Sequence, residues 1–305
     1  MRVFVDDSFD PYKHLAIEHY FLYQDLNIEE SPVLFIYRNL DSVVFGNFQN
    51  PWLEADINFC RENNIKLVRR FSGGGCVFHD LGNLNFCFIG PKNENSKSIL
   101  SHLLINFLHK FHVAARLGEK SDILLDDQKI SGSAFRETKN RTLHHCTLLF
   151  RADLDKLVRA LSSPLKRTAV ATHALASRPA TVQNLSNFSW KDPLSLVQDF
   201  INDLKSHFIL KNDELPKINF DTDMWQTREH LWEKTPRFSV VVGDSVLTIE
   251  KGCLTELSFQ SKEKIIQQKE LNIKLPCNKN EQALITFFNA DSNLNQALLK
   301  WGLIF

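Results

Sequence analysis

Three consecutive glycines, Gly73, Gly74 and Gly75, follow the paired arginines Arg69 and Arg70 and precede His79 and Asp80. Fixing three glycines in a fold costs more backbone entropy than fixing any other tripeptide, so such a run marks a place where bare backbone is needed. Successive N–H groups in a tight turn can form an anion-binding nest, and a guanidinium beside it matches phosphate or carboxylate geometry. No Gly-Lys-Ser/Thr closes the run and no helical pattern follows at once, which excludes a Walker-type loop. An ordinary glycine-rich hairpin is the plain alternative. The second candidate is Lys129, which precedes the small residues Ser131, Gly132, Ser133 and Ala134. Small residues let a ligand or another backbone approach; a solvated strand end is the alternative there. Together a nest, guanidinium groups and a lysine suit the charge that builds on α-phosphorus oxygens when a carboxylate attacks a nucleoside triphosphate.

The elements that must position these groups are legible around them. Apolar runs at Ile65–Val68 and Leu84–Ile89 read as strands, placing the glycines in a tight strand-to-strand connection. Asp126-Asp127 between two apolar runs reads as a hairpin turn, with Lys129 early on the returning strand. Pro11 opens a helix whose apolar face holds Tyr12, Leu15, Ala16, His19 and Leu22, and strands follow at Val33–Tyr37 and Ser42–Phe45. Gly46-Asn47-Phe48-Gln49-Asn50-Pro51-Trp52 then turns into an acidic helix. A long helix is expected over Ser98–Leu117, stopped by Gly118; its His109 and His112 lack a carboxylate neighbour and read as solvated or partly packed. Asp153 stands where an N-cap belongs and Lys191-Asp192-Pro193 opens a further helix, whereas the loop from Lys166 to Leu175 has no strong pattern. Past Pro236 come three short strands (Phe238–Val242, Val246–Glu250, Leu254–Phe259) and two helix-like runs, around Ala283-Leu284-Phe287 and Leu294-Ala297-Leu298-Trp301. That pattern sets a domain boundary near residue 236.

With 305 residues, 43% of them hydrophobic and 24% charged, the chain suits one sizeable core plus a small second domain. Its 36 basic and 36 acidic residues balance, which argues against holding nucleic acid by counterion release. No stretch approaches a membrane span. Cys60, Cys76, Cys87, Cys146, Cys253 and Cys277 are scattered, without a Cys-x-x-Cys pair, and read as free thiols in a reducing compartment. The first residues read as a strand instead of a signal or transit peptide, so the expected address is cytoplasmic, or the mitochondrial matrix in a eukaryote.

Arg69-Arg70-Phe71-Ser72-Gly73-Gly74-Gly75-Cys76-Val77-Phe78-His79-Asp80-Leu81-Gly82-Asn83-Leu84-Asn85-Phe86 resembles the signature loop of the lipoate–protein ligase A and lipoyltransferase family. The likeness extends over most of the chain. Asp122-Ile123 through Lys129-Ile130-Ser131-Gly132-Ser133-Ala134 resembles the family's lysine motif, with Ser121 where many ligases carry Asn. His144-His145-Cys146-Thr147-Leu148-Leu149 is similar to its His-His strand, and adjacent histidines on a strand face opposite ways, so at most one meets the site. Cys146 and Pro179 are features of the lipoyltransferase branch.

The resemblance implies an α+β fold of the biotin/lipoate protein ligase type, related to class II synthetases: a mixed-sheet domain over 1–235 and a small α+β domain over 236–305. It implies attachment of lipoate to protein lysines through lipoyl-AMP, made from ATP and lipoate with Mg2+ or supplied preformed. Lys129 is the expected catalytic cation. Arg70, Gly73, Gly74 and Gly75 are expected to hold anionic oxygens, with His79 beside them. Asp122 is expected to hold magnesium or orient Lys129, and Thr147 to contact the nucleotide. Phe78, Lys120, Arg178 and Ala180 are carried over as further walls, with the acyl tail along Phe78. The implied partners are the lipoyl domains of 2-oxoacid dehydrogenase E2 subunits and the glycine cleavage H protein, met by a monomer. Two alternatives are a cysteine-type octanoyl/lipoyl acyltransferase, for which only Cys146 is placed, and a non-catalytic nucleotide-binding module, which has no need of Lys129.

Overall fold

The structure, a computed structural model, describes residues 1–166, 168–185, 190–211, 214–216, 220–261, 264–275 and 292–303. In chain order the first half runs β1 (Arg2–Asp6), α1 (Pro11–Tyr23), β2 (Val33–Tyr37), β3 (Ser42–Phe45), α2 (Pro51–Glu54), α3 (Ile57–Glu62), β4 (Lys66–Arg69), β5 (Val77–His79), β6 (Asn83–Pro91) and α4 (Ile99–Lys110). Then come β7 (Arg116–Leu117), β8 (Ile123–Leu125), β9 (Gln128–Ser131), β10 (Ser133–Glu137), β11 (Arg141–Leu149), α5 (Leu154–Ala160), β12 (Ala169–Thr172) and α6 (Pro193–Leu204). The chain closes with α7 (Asp223–Gln226), β13 (Phe238–Val242), β14 (Ser245–Glu250), β15 (Cys253–Ser261), β16 (Lys264–Lys274) and α8 (Ser292–Lys300).

The main sheet has the order β1-β2-β6-β11-β10, antiparallel except for the parallel β1–β2 pair. Side-chain alternation divides its central strands between two cores. Leu84, Phe86 and Phe88 pack with Leu100, Leu104, Phe107 and Phe200 of α4 and α6, whereas Cys87 and Ile89 pack with Ile17 and Phe21 of α1. The helix ends follow their sequence signals: Asp10, Asp153 and Asp192 each accept a first-turn N–H, and Pro11 and Pro193 sit where their missing N–H costs nothing.

Three local expectations change. Helix α4 stops at Lys110, seven residues short of Leu117, because His112 adopts a left-handed φ of 59° and the Val113 N–H bonds back to Leu108 O at 3.1 Å. The loop after Lys166 contributes β12, which pairs antiparallel with β13. The C-terminal sheet gains β16, whose polar composition hid it, while the expected run around Ala283-Leu284-Phe287 lies outside the described residues. Asp126 and Asp127 form the expected hairpin turn, both with positive φ, as a two-residue connection matched to strand twist requires.

Strands β4 and β5 do not pair with each other. Both flank β3, so the glycine run crosses over one end of that strand instead of closing a hairpin. The outer face of this three-stranded sheet shares a core with the C-terminal unit: Val43, Phe45 and Phe78 pack in one cluster with Trp52, Trp232, Phe238, Leu254 and Trp301. Arg69, fully buried, fastens the same junction. Its guanidinium donates to the carbonyls of Leu231 (2.7 Å) and Gln49 (2.8 Å) and to Asn47, Gly46 and the Thr235 hydroxyl. Burial pulls its pKa down only to about 10, so it stays charged. Arg69→Met is expected to destabilise the fold by about 3 kcal/mol or more, because each orphaned buried carbonyl costs roughly 1–3 kcal/mol. Urea unfolding reads this as a lower midpoint at unchanged m.

Candidate active site

A cavity of about 310 Å³ opens between the glycine loop, the β8–β9 hairpin and β11. Its closed end is polar but buried, formed by Tyr37, His79 and Asn85 with His145. Its open end carries Lys129, Asp122, Thr147 and Arg178.

Arg70 organises the glycine loop. Its Nε donates to Ser72 Oγ (2.9 Å), its Nη2 to the Gly73 and Gly75 carbonyls (both 2.7 Å) and its Nη1 to Val44 O (2.9 Å). The carbonyls therefore point inward, and the N–H groups of Gly73, Gly74 and Gly75 have no partner among the described residues. Arg70, expected to hold anionic oxygens, instead spends its donors on the loop and shapes the turn. Gly74 has φ +88°, and a Cβ there would lie 3.0 Å from Arg70 Nη2. Gly46 is as constrained, since a Cβ on it would stand 2.2 Å from Gly74 O.

Lys129 is held from three sides. Its Nζ lies 3.0 Å from Asp122 Oδ1, and its N–H and carbonyl bond Thr181 O (2.9 Å) and the Gln183 N–H (3.1 Å). Gly132 leaves room for the side chain: a Cβ there would meet Lys129 Cε at 3.0 Å and Nζ at 3.1 Å. The Thr147 hydroxyl accepts the Gly132 N–H at 3.1 Å, tying β11 to the same spot. Asp122 is the one acidic group lining the cavity among the described residues, and its carboxylate already faces the ammonium.

The other expected residues divide. Gly74, Gly75, His79 and Arg178 line the cavity with Arg70, Asp122, Lys129 and Thr147, whereas Gly73 lies just behind the lining. Phe78 faces away: on β5, Val77 and His79 point to the cavity, so the residue between them joins the core shared with the C-terminal unit. The apolar side chains that line the cavity in its place are Val77, Leu15 and Ala134. Ala180 is exposed and off the lining, two residues beyond Arg178. The backbone of Lys120 belongs to the turn Glu119–Ser121, and its side chain lies outside the described residues.

Several residues escape a linear reading. Glu18 on α1 is buried, yet accepts from His145 Nδ1 (2.9 Å) and the Tyr37 hydroxyl (2.8 Å). Burial pushes its carboxyl up, but the His145 charge and these hydrogen bonds outweigh that and hold it below the usual range. Its one signal was a glutamate within an otherwise apolar helix face. His145 is the one member of its pair that meets the site, through Glu18 and Ser72 Oγ (2.8 Å). Glu18, Cys87 and His145 together form the one group of three close metal-type donors among the described residues. Ser177 clamps the segment after Leu175 over the loop by accepting the Cys76 N–H (2.7 Å) and Gln49 Nε2 (2.9 Å). His79, buried beside the Arg70 and His145 charges, has its pKa pushed down to about 3 and stays neutral.

The cavity thus brings together Lys129, Arg178 and glycine N–H groups that have no partner among the described residues. The chain matches the family described as the lipoyl protein ligase A/B catalytic domain over residues 10–209. It belongs to that family of lipoate-ligase and lipoyltransferase enzymes and has its α+β fold. Among solved structures it is similar to a lipoate–protein ligase A bound with ATP (26% identity, TM-score 0.61, covering 71% of this chain and 89% of that one). It is also similar to a bipartite lipoate protein ligase described with its E2 lipoyl domain, from Thermoplasma acidophilum (26%, TM-score 0.58, 71% and 87%). A third is LipL1 of P. falciparum in complex with lipoate (25%, TM-score 0.60, 84% of each chain).

Cys146 lines the cavity as well, but burial pushes its thiol up to about 12. At pH 8 only about one part in ten thousand would be thiolate. Iodoacetamide is expected to leave Cys146 unmodified in the native protein at pH 8 and to modify it in urea; peptide mass spectrometry distinguishes the two.

Proposed function

We propose that this protein transfers a lipoyl group to a lysine of a lipoyl domain, through lipoyl-AMP bound in the cavity. The observation that carries this reading is Lys129, held by Asp122 at the open end of the cavity beside the unpaired N–H row of the glycine loop. The relatives described with ATP, with lipoate and with an E2 lipoyl domain support the three participants separately.

In this reading the acyl tail runs inward along Leu15, Val77 and Ala134 toward Tyr37 and His145. At roughly 0.8 kcal/mol per buried methylene, a medium-length chain gains about 4 kcal/mol, enough to select crudely for length. Lys129 and the Gly74 and Gly75 N–H groups neutralise the oxygens of the α-phosphate and acyl carboxylate, with Arg70 adding charge behind them and Gly73 leading the loop into place. Thr147, Arg178 and the adjoining backbone to Ala180, together with Lys120, flank the nucleotide. Asp122 orients the lysine; with a triphosphate present it is also the carboxylate available to magnesium, which favours one or two carboxylates plus phosphate oxygens. The acceptor's lysine amine attacks the mixed anhydride at carbon, the C–N bond forms, the C–O bond to phosphate breaks, and AMP leaves with that electron pair. No nucleophile on the enzyme is needed. Residues 1–235 carry the chemistry and 236–305 brace it through the core the two units share. The H protein is a second acceptor of the same kind.

The cysteine acyltransferase reading requires a thiolate, and the buried, protonated Cys146 disfavours it. Whether adenylate is made here or only used divides ligase from transferase, and Cys146 and Pro179 incline the reading to a transferase-type enzyme. Lipoate-dependent ATP–pyrophosphate exchange, run beside transfer from synthetic lipoyl-AMP, tests this: transfer without exchange is expected, and exchange as fast as transfer makes the protein a full ligase. Lys129→Ala is expected to lose on the order of a hundredfold in transfer, the loss typical of one preorganised charge-stabilising group, with its unfolding midpoint little changed. A variant retaining more than half of the turnover would overturn the role given to Lys129. Cys146→Ser is expected to stay active, and mixing the enzyme with octanoyl carrier protein to give no acyl adduct by mass spectrometry.

A further inference from the structure

Ser121 adopts a left-handed backbone conformation, φ 65°, immediately before Asp122. L residues other than Gly, Asn and Asp visit this region reluctantly, because Cβ crowds the following carbonyl. Ser121 closes the short turn Glu119–Ser121, where the Asp122 N–H reaches Glu119 O only at 3.4 Å, so that turn by itself holds the conformation weakly.

Two hydroxyls hold its carbonyl in place. Ser133 Oγ donates to Ser121 O at 2.7 Å, and Ser101 Oγ, from the buried face of α4, reaches it at 3.4 Å. A serine hydroxyl has one proton, so with that proton on Ser121 O the contact between Ser133 Oγ and His144 Nε2, 3.0 Å, makes the histidine the donor. His144 is fully buried, its ring lies 4.4 Å from that of Phe135, and its Nδ1 has no partner. Burial, reinforced by the His145 charge, pushes its pKa down to about 3, so one proton remains to be placed, on Nε2. Leaving Nδ1 orphaned in the core has a cost, which a side chain used only for packing would not incur.

We propose that His144 and Ser133 are positioning residues, a hydrogen-bond chain that keeps Ser121 left-handed and thereby aims Asp122 at Lys129. The direction runs from the core outward: His144 Nε2–H to Ser133 Oγ, Ser133 O–H to Ser121 O, and the next residue's carboxylate to the ammonium 3.0 Å away. The consequence for activity rests on the catalytic reading of Lys129; the chain itself does not.

The test is a mutant cycle with one substrate-free readout. Ser133→Ala is expected to lower kcat for transfer from lipoyl-AMP on the order of tenfold, with a smaller change in KM. Placed in a Ser121→Gly background, where glycine holds the left-handed conformation without help, the same substitution is expected to cost less than about twofold. His144→Gln, whose amide can still donate to Ser133, is expected to retain most activity, and His144→Leu to fall with Ser133→Ala. Without any substrate, amine-reagent labelling of Lys129 followed by mass spectrometry is expected to quicken in Ser133→Ala and not in Ser133→Ala/Ser121→Gly. Equal losses in both backgrounds, unchanged Lys129 labelling, or 15N NMR placing the His144 proton on Nδ1 would each overturn the chain. Labelling that quickens while transfer stays at the wild-type rate would leave the chain standing and overturn the catalytic reading of Lys129.

Discussion

The structure depends on two desolvated guanidinium groups. Arg69 and Arg70 are adjacent on one strand end and leave it on opposite sides, each buried and each surrounded by backbone carbonyls. A buried charge is tolerable only when its donors are met, and the carbonyls that meet these two belong to segments that have to come together for the site to exist. Arg69 ties the Gly46–Gln49 turn to Leu231 and Thr235, so the segment leading into the C-terminal unit is fastened where the glycine loop begins. Arg70 draws the glycine carbonyls inward, and that rotation is what turns the loop's N–H groups outward, unpaired. The shape of the loop is thus a by-product of satisfying a cation underneath it.

The two-residue period of strands apportions the rest. On β5 it gives Val77 and His79 to the cavity and Phe78 to the core beneath; on β11 it gives His145 to the cavity and His144 to the core. Neighbouring residues of one motif therefore do different work, one touching the space where a ligand sits and the other fixing the wall. The same division separates the two ionisable groups that a chemist would notice first. Lys129 is about a quarter exposed and paired with a carboxylate. Cys146 is sealed in the wall and remains a thiol. The burial difference, more than residue type, sets these two groups apart.

Local chemistry, legible along the chain, determined much of what was needed to find the site. The run of three glycines, the Asp126-Asp127 turn that places Lys129 on the returning strand, the small residues around Gly132, and the aspartate caps at Asp10, Asp153 and Asp192 all act within a few residues of themselves, which is why they can be read in order. Tertiary structure decided everything that required a partner far away. Glu18 is 127 residues from His145, and Arg69 is 162 from Leu231. The pairing of the Lys166–Leu175 loop with β13, the inward turn of Arg70 and the exclusion of Phe78 follow from which strand lies beside which, and Ser121 acquires its conformation from a hydroxyl and a histidine on strands formed later in the chain. Hydrophobic period and capping are properties of a segment; the direction in which a buried polar group finds its hydrogen bond is a property of the assembled core.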